Sequence, residues 1–447
     1  MANQIKAPRG TQDVLPDESW RWQYVEKAVL ETARLFGFKE IRFPTFEHTE
    51  LFARGVGDTT DVVQKEMYTF TDKGDRSVTL RPEGTAGAMR AIIEHGLLGG
   101  ALPLKVCYLL SCFRYEKPQA GRLREFHQFG AELVGTASAS ADAEVISMMS
   151  QFFEEIGLTG ITLEINSIGC PDCRADYTRA LQEYFGAHRD ELCETCQGRL
   201  DRNPMRILDC KSPICQKISE GAPTVLDYLC DDCRAHFDEL QERLTSLGIE
   251  YTINPRIVRG LDYYTRTVFE FVSDCIGAQG TVCGGGRYDG LIEELGGPST
   301  PSIGFAMGLE RLLLLMEKTG CEFPDEQPCD IYIGSMGKKA SIAAASIAAE
   351  LRREGFSAEC DVCSRSVKAQ MKYADKLGAR LSGIIGDSEL EKGSFVIKNM
   401  KDGTSAEVSL EPDKIIEHLY SNLMDGVYDA LKAGVSDLPT VDLRGDS

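Results

Sequence analysis

The sequence predicts a mixed α/β protein of more than one domain, and three observations lead there. From about Ile5 to Gly169, helix-period stretches alternate with short apolar runs. A helix-rich segment crowded with cysteine then interrupts the pattern, and a regular strand–helix alternation begins at Asp330. At 447 residues, 43% apolar and 26% charged, the chain can bury a large core. Its length suits roughly two to four domains.

Taken in order, Trp20 to Phe36 reads as a helix, and Lys105 to Leu110 and Gly160 to Ile165 as strands. Arg174 to Gly248 is richer in helix formers, with helix-period stretches at Ala175 to Tyr184 and Cys233 to Leu247. Strand-like sequence resumes at Tyr251 and at Thr267 to Phe271, which marks the helical segment as an insertion. The Pro-containing stretch Phe323 to Pro328 separates the last part. There, strand Asp330 to Gly334, helix Lys338 to Glu354, strand Ser357 to Val362, helix Val367 to Leu377 and strand Leu381 to Gly386 follow one another. That succession predicts a small α/β domain with a mostly parallel sheet. Ser421 to Ser447 has weak periodicity and an acidic finish, and is expected to be a frayed tail.

The charges are 49 Lys and Arg against 69 Asp and Glu, a net −20. Such a balance excludes a protein that coats nucleic acid through bulk positive charge, so any RNA must meet a local basic surface. No DNA partner is expected. No apolar run approaches the roughly 20 residues that span a bilayer, and the opening MANQIKAPRG lacks the charged-then-apolar pattern of an export signal. A cytoplasmic location without a membrane partner is therefore expected, where the sixteen cysteines read as thiols or metal ligands before disulfides.

Five short blocks carry chemistry. In Thr79 to Thr85 a strand end runs into a helix, and Glu83 and Thr85 can cap that helix or bind an ammonium group. Cys112 to Glu116 and Glu125 to Glu132 read as two strands joined by a loop carrying Lys117, Arg122 and Arg124, whose guanidinium forks match phosphate oxygens. Period-two alternation puts Gln128, Gly130 and Glu132 on one face, a carboxamide and a carboxylate across a glycine gap that suits a small cationic ligand. An ordinary surface hairpin is the alternative. Arg259 to Thr267 offers a charge and the paired Tyr263 and Tyr264 as a substrate wall or as plain packing. Val282 to Gly290 holds three successive glycines that allow close backbone approach without matching a dinucleotide or Walker pattern. In Ser302 to Leu313 a glycine-punctuated strand enters a helix bearing Arg311, which favours a polyphosphate or makes a surface ion pair.

Together these blocks resemble a known family. Phe113-Arg114-Tyr115-Glu116 with the run to Glu132 resembles motif 2 of class II aminoacyl-tRNA synthetases, Gly304 to Arg311 resembles motif 3, and the segment around Pro44 after Ile41-Arg42-Phe43 resembles motif 1. Arg259 to Thr267 and Cys283 to Gly290 are similar to the two signatures of the histidyl-tRNA synthetase family, as is the opening Pro8 to Asp13. The resemblance spans about Pro8 to Leu419 and implies an antiparallel six-stranded catalytic sheet flanked by helices. It implies a catalytic domain of residues 1–169 and 249–325, a mostly helical cysteine-rich insertion of 170–248, a mixed α/β anticodon-binding domain of 326–420 and the tail 421–447. It also implies a homodimer that activates L-histidine with ATP and Mg²⁺ and passes it to histidine tRNA, whose extra 5′ guanosine the family reads.

By the same resemblance, Arg114 grips the α-phosphate, Arg311 the γ-phosphate and Arg122 the β/γ-phosphates of ATP, with Arg259 opposite the α-phosphate. Glu83, Gly84, Thr85, Gln128 and Glu132 hold the histidine amino group and its neighbours, while Tyr263 and Tyr264 meet the imidazole. Gln119 and Arg122 face the tRNA acceptor end. On one helix, Lys368, Lys372 and Lys376 make a basic stripe that lies along RNA phosphates or is simply solvated. The alternative function is a histidine-sensing regulatory subunit of ATP phosphoribosyltransferase, a class of relative without the anticodon-binding domain or the Arg259-type signature.

The insertion carries Cys170 and Cys173, Cys193 and Cys196, Cys210 and Cys215, and Cys230 and Cys233. Three C-x₂-C pairs and one wider pair supply enough thiolates for two tetrahedral structural Zn²⁺ sites, with reduced buried thiols or an iron–sulfur cluster as alternatives.

Overall fold

The computed structural model describes residues 5–57, 60, 62–119, 121–257, 261, 263–276, 280–324 and 329–422. Arg259 and the tail beyond Asn422 lie outside the described residues. The chain divides into two compact units at Phe323/Pro324.

Among the described residues, eleven strands belong to the first unit: β1 (Lys39–Glu40), β2 (Phe46–His48), β3 (Tyr68–Thr71), β4 (Ser77–Leu80), β5 (Leu104–Phe113), β6 (Glu125–Val134), β7 (Thr162–Ser167), β8 (Thr252–Ile253), β9 (Thr265–Val272), β10 (Thr281–Arg287) and β11 (Ser302–Gly308). The large sheet has the order β1-β5-β6-β11-β10-β9-β7-β8. Its six inner strands pair antiparallel throughout, and the two-residue edges β1 and β8 add parallel pairings. The expected six-stranded antiparallel sheet is thus present, widened by two short edges.

Strand alternation sorts the two faces of this sheet. Phe129, Ala131 and Leu133 of β6, Phe269 and Phe271 of β9, and Ile303, Phe305 and Met307 of β11 enter one core with residues of helices Pro16–Leu35, Ala139–Glu155, Asp231–Ser246 and Leu309–Thr319. Helix Pro16–Leu35 begins with proline in its first turn and Asp17 and Glu18 beside it, which suits its orphan N–H groups and positive dipole end. The intervening residues of β5 and β6 face the opposite side, where Tyr108, Tyr263, Tyr264 and Tyr288 form a second core under helix Thr85–Glu94. Everything described below as the site grows from that second face.

The insertion consists of helices Pro171–Ala187, Glu194–Leu200, Pro213–Ser219 and Asp231–Ser246. It keeps a small core of its own around Tyr177, Leu181, Phe185, Leu200 and Ile207.

In the second unit, β12 (Ile331–Ser335), β13 (Ala358–Cys360), β14 (Leu381–Ile385), β15 (Ser394–Asn399) and β16 (Ser405–Ser409) order as β13-β12-β14-β15-β16. The first three strands are parallel and the last two antiparallel, so the sheet is evenly mixed rather than mostly parallel. The reason is connection length: β14 and β15 are joined only through the short helix Asp387–Lys392, and β15 and β16 by a tight turn through Gly403, φ +78°, both shorter than a parallel crossover needs. Among the described residues no helix is long and apolar enough to cross a membrane.

Candidate active site

A cavity of about 610 Å³ opens over the second face of the large sheet. Its lining includes Glu83, Thr85, Arg114, Glu116, Arg122, Gln128, Tyr263, Tyr264, Glu270 and Arg311. The charges are not mixed at random along it. Arg122 donates to Glu116 at 3.0 Å, and Arg311 donates to the Thr281 carbonyl while Gly121 passes beside its side chain. Burial pushes the Arg311 guanidinium below its ordinary range and Arg122 pushes it the same way, with Glu116 and Glu270 opposing. Two cations therefore crowd one end, a cost that an anionic ligand would relieve.

At the other end are tyrosines and carboxylates. Glu83 is buried, and its two carboxylate oxygens accept from the Thr85 N–H at 2.7 Å and the Ala86 N–H at 2.9 Å, capping helix Thr85–Glu94. Burial raises its pKa despite these bonds and the nearby Arg114. The Tyr263 and Tyr264 rings meet at a tilt with centroids 4.7 Å apart, and Tyr288 meets Tyr263 edge-on at 5.4 Å. Arg114 spans the two ends: its Nε donates to the Pro82 carbonyl at 2.8 Å, Glu116 lies 3.9 Å away, and its guanidinium stacks on Phe126.

Glu132 is placed differently from the reading by strand alternation. It shares the face of Gln128 and Gly130, but the glycine gap between them is filled by the Tyr108 ring. Tyr108 donates to one oxygen of Glu132 at 2.8 Å and Tyr288 donates to the other. Glu132 is fully buried and does not line the cavity; burial, opposed by the two hydroxyl donors, lifts its pKa to about 8. Gly84 also lies behind the wall: a Cβ there would overlap the Tyr108 ring. Both positions belong to the floor that sets the depth of the pocket.

Comparisons with known proteins show the family. A profile described as histidyl-tRNA synthetase matches residues 10–190 and 217–312, and one described as an anticodon binding domain matches 330–419. The histidine–tRNA ligase of Acetivibrio thermocellus is 57% identical over 406 residues, covering 91% of this chain and 97% of that one. The chain belongs to the histidyl-tRNA synthetase family. The Clostridium perfringens (strain SM101) histidine–tRNA ligase is 53% identical over 92% of this chain and 99% of its own. The solved apo histidyl-tRNA synthetase of S. aureus, 42% identical, superposes with a TM-score of 0.79 over 93% of this chain and 100% of that chain. A regulatory-subunit reading is not favoured, because full-length synthetases match so closely and the anticodon-binding region is present.

Within this synthetase, sequence reasoning missed several cavity residues. Glu116 stood inside the quoted motif 2 block, yet its ion pair with Arg122 depends on how the loop folds back. Tyr288 stood inside the quoted Val282 to Gly290 block and Tyr108 in a strand-like run, but the meeting of their hydroxyls on Glu132 beneath the cavity is a product of the sheet order. Asn254, Arg256, Asp209 and Lys211 reach the cavity from segments far off in sequence. Gln119 lies exposed at the tip of the motif 2 loop, in a turn closed by two backbone bonds with Arg122 of 2.9 and 3.1 Å. In the second unit, Lys368, Lys372 and Lys376 are all exposed on helix Val367–Lys376, whereas Ala374 is buried.

The eight cysteines of the insertion meet as two quartets, Cys170-Cys173-Cys230-Cys233 and Cys193-Cys196-Cys210-Cys215, each with its sulfurs within 4.8 Å of one another. Segments distant in sequence converge, the first C-x₂-C pair closing with the last. Four thiolates about 2.3 Å from a tetrahedral Zn²⁺ lie about 3.8 Å apart, and Cys193 and Cys210 stand at 3.8 Å and Cys170 and Cys173 at 3.5 Å. Backbone N–H groups of Cys230 and Cys193 also point at the Cys173 and Cys215 sulfurs, as thiolates require. The donor set fits a metal. The family profile passes over residues 191–216, which contain the whole second quartet.

Proposed function

We propose that the chain is a histidine–tRNA ligase working in the 610 Å³ cavity: ATP binds along Arg114, Arg122 and Arg311, and L-histidine binds toward Glu83, Thr85, Gln128, Tyr263 and Tyr264. The observation that carries this reading is the arrangement of the cavity, with the Arg122 and Arg311 guanidinium groups beside Glu116 and Glu270 at one end, Glu83 and the tyrosines at the other, and Arg114 between them. A substrate carboxylate held at the junction attacks the α-phosphorus in line, the P–O bond to pyrophosphate breaks, and histidyl-adenylate forms. Arg114 offsets charge on the transferring group while Arg311 and Arg122 hold the departing oxygens. No side-chain nucleophile is needed, because histidine brings its own.

Glu132 acts from beneath the pocket: through Tyr108 and Tyr288 it sets a buried polar floor for the imidazole end. Such a floor rejects side chains that leave its groups unpaired, by roughly 10⁴-fold or more. Arg259 is assigned opposite the α-phosphate on the motif resemblance alone. In the second step the terminal ribose hydroxyl of histidine tRNA attacks the adenylate carbonyl and AMP leaves. Gln119 and Arg122 face the acceptor end, and Lys368, Lys372 and Lys376 meet RNA phosphates.

Glu116 and Glu270 bring hard oxygen donors to the polyphosphate end, and both act on Arg311, so they fit Mg²⁺. Mg²⁺ bound there would neutralise phosphate charge. Structural Zn²⁺ in both quartets, a homodimer and a cytoplasmic location complete the reading. The same reading assigns an insertion domain to 170–248 and an anticodon-binding domain to 326–420.

Histidine-dependent charging of histidine tRNA, with the same tRNA lacking its 5′ guanosine as control, tests the function. Charging of the intact tRNA alone is expected; histidine binding without ATP–pyrophosphate exchange would overturn it. Metal analysis of anaerobically purified protein tests the zinc, where two ions per chain are expected from the two quartets and fewer than one refutes it.

A further inference from the structure

Two separate chains of contacts join the first cysteine quartet to the tyrosines at the histidine end of the cavity. We propose that the Cys170-Cys173-Cys230-Cys233 metal site is a positioning clamp for the imidazole end of the pocket, working through Arg174 and His236 without touching substrate. This rests on the zinc and histidine-pocket readings above.

The first route runs through the backbone. The Ile168 N–H donates to the Arg266 carbonyl at 2.7 Å and the Arg266 N–H donates to the Gly169 carbonyl at 2.9 Å. That reciprocal pair fastens the residues just before Cys170 to the residue two beyond Tyr264. Arg266 has φ +51°, a left-handed conformation that a long side chain adopts only when its surroundings hold it there. Gly169 has φ +68°, and a Cβ on it would meet the Cys173 Cβ at 2.5 Å, so the chain passes hard against the sulfur site. Arg174, next after Cys173 on helix Pro171–Ala187, donates to the Tyr264 carbonyl at 3.1 Å.

The second route runs through buried charge. Helix Asp231–Ser246 starts at the Cys230 and Cys233 ligands, and one turn on from Cys233 it carries His236. His236 Nε2 is 2.7 Å from the Asp142 carboxylate, which also pairs with Arg287. Asp142 and Arg287 are fully buried, and a buried pair of this kind holds its geometry tightly because breaking it leaves a charge unpaired. The next residue, Tyr288, donates to Glu132. Metal bound by the quartet therefore fixes both the Tyr264 segment and the strand end bearing Tyr288. Removing it cuts the four-sulfur tie between the starts of helices Pro171–Ala187 and Asp231–Ser246.

The test measures zinc content and steady-state ATP–pyrophosphate exchange on the full chain. Cys170→Ser/Cys230→Ser removes two ligands of this quartet, and zinc should fall from two ions to one per chain. The histidine KM should rise about tenfold while the ATP KM stays within about twofold. Cys230→His keeps a fourth ligand and should restore the second zinc and bring the histidine KM back to within about threefold. Arg174→Met cuts the first route without touching a sulfur, and should raise the histidine KM about tenfold at full zinc content. Loss of one zinc with an unchanged histidine KM, an equal rise in both KM values, or an unchanged histidine KM in Arg174→Met would each overturn the clamp. Less than one zinc in the unaltered chain would instead overturn the zinc reading on which it rests.

Discussion

Gly304→Ala is the most demanding perturbation of the pocket floor. Gly304 of β11 pairs with Glu132 of β6, and an added Cβ would overlap a Glu132 carboxylate oxygen while standing 2.5 Å from the Tyr288 hydroxyl and 2.6 Å from the Ala131 carbonyl. None of these can give way cheaply, since Glu132, Ala131 and Tyr288 are all buried. Overpacking of a tight core costs about 1–3 kcal/mol. Displacing the carboxylate from a tyrosine donor leaves a buried group short of a partner, a further cost of about 1–3 kcal/mol. A central value of about 4 kcal/mol lowers the melting temperature of a unit this large by about 8 °C. Thermal denaturation of the purified protein reads that shift, and pyrophosphate exchange reads a rise in histidine KM with it. Gly186→Ala is the control: helix Pro171–Ala187 surrounds it with open space, so alanine should stabilise slightly. A Gly304→Ala protein melting within about 1 °C of the parent, with histidine KM unchanged, would refute the picture of a sealed floor.

Three further outcomes are expected. The Glu132 pKa, raised by burial from 4.5 to about 8, means that folding favours its neutral form; the associated stability is complete below the unfolded value and lost as pH rises through the folded one. The melting temperature of the ligand-free protein should therefore fall between pH 5 and pH 9 by a component of about 8 °C that Glu132→Gln abolishes, and an identical pH slope in the variant would contradict the assignment. Arg311→Ala should cut the exchange rate by about 10²–10³-fold with the fold intact by circular dichroism, and a loss under tenfold would remove Arg311 from the polyphosphate site. Lys372→Glu should lower the slope of log tRNA affinity against log salt by about one, and an unaltered slope would return the lysine stripe to plain solvation.

What the sequence determined is what local pattern and residue type can specify. The antiparallel hairpin of β5 and β6, the helix Pro16–Leu35 and the β12 to β14 alternation were legible because the periods of 2 and 3.6 are written directly into the order of apolar residues. Arg114, Arg122, Arg311, Tyr263 and Tyr264 were legible because they sit in short contiguous blocks, whereas Arg256 lay outside any such block. The parallel prediction for the second unit failed at β15 and β16, where short connections, the tight turn at Gly403 among them, govern direction and the apolar pattern does not record it.

Only the tertiary structure decided which distant groups share a bond. Strand alternation put Glu132 beside Gln128, but that it ends beneath the cavity, between Tyr108 and Tyr288, depends on sheet order and on glycines at 84, 130 and 304 that let a ring and a carboxylate pass. The spacing of the cysteines allowed many partitions into fours; the fold selected two by bringing helix Asp231–Ser246 back to the start of helix Pro171–Ala187. The physical reason is range: periodicity acts over a few residues, whereas burial, ion pairing and metal ligation join whatever packing brings within a few ångströms, however far apart along the chain.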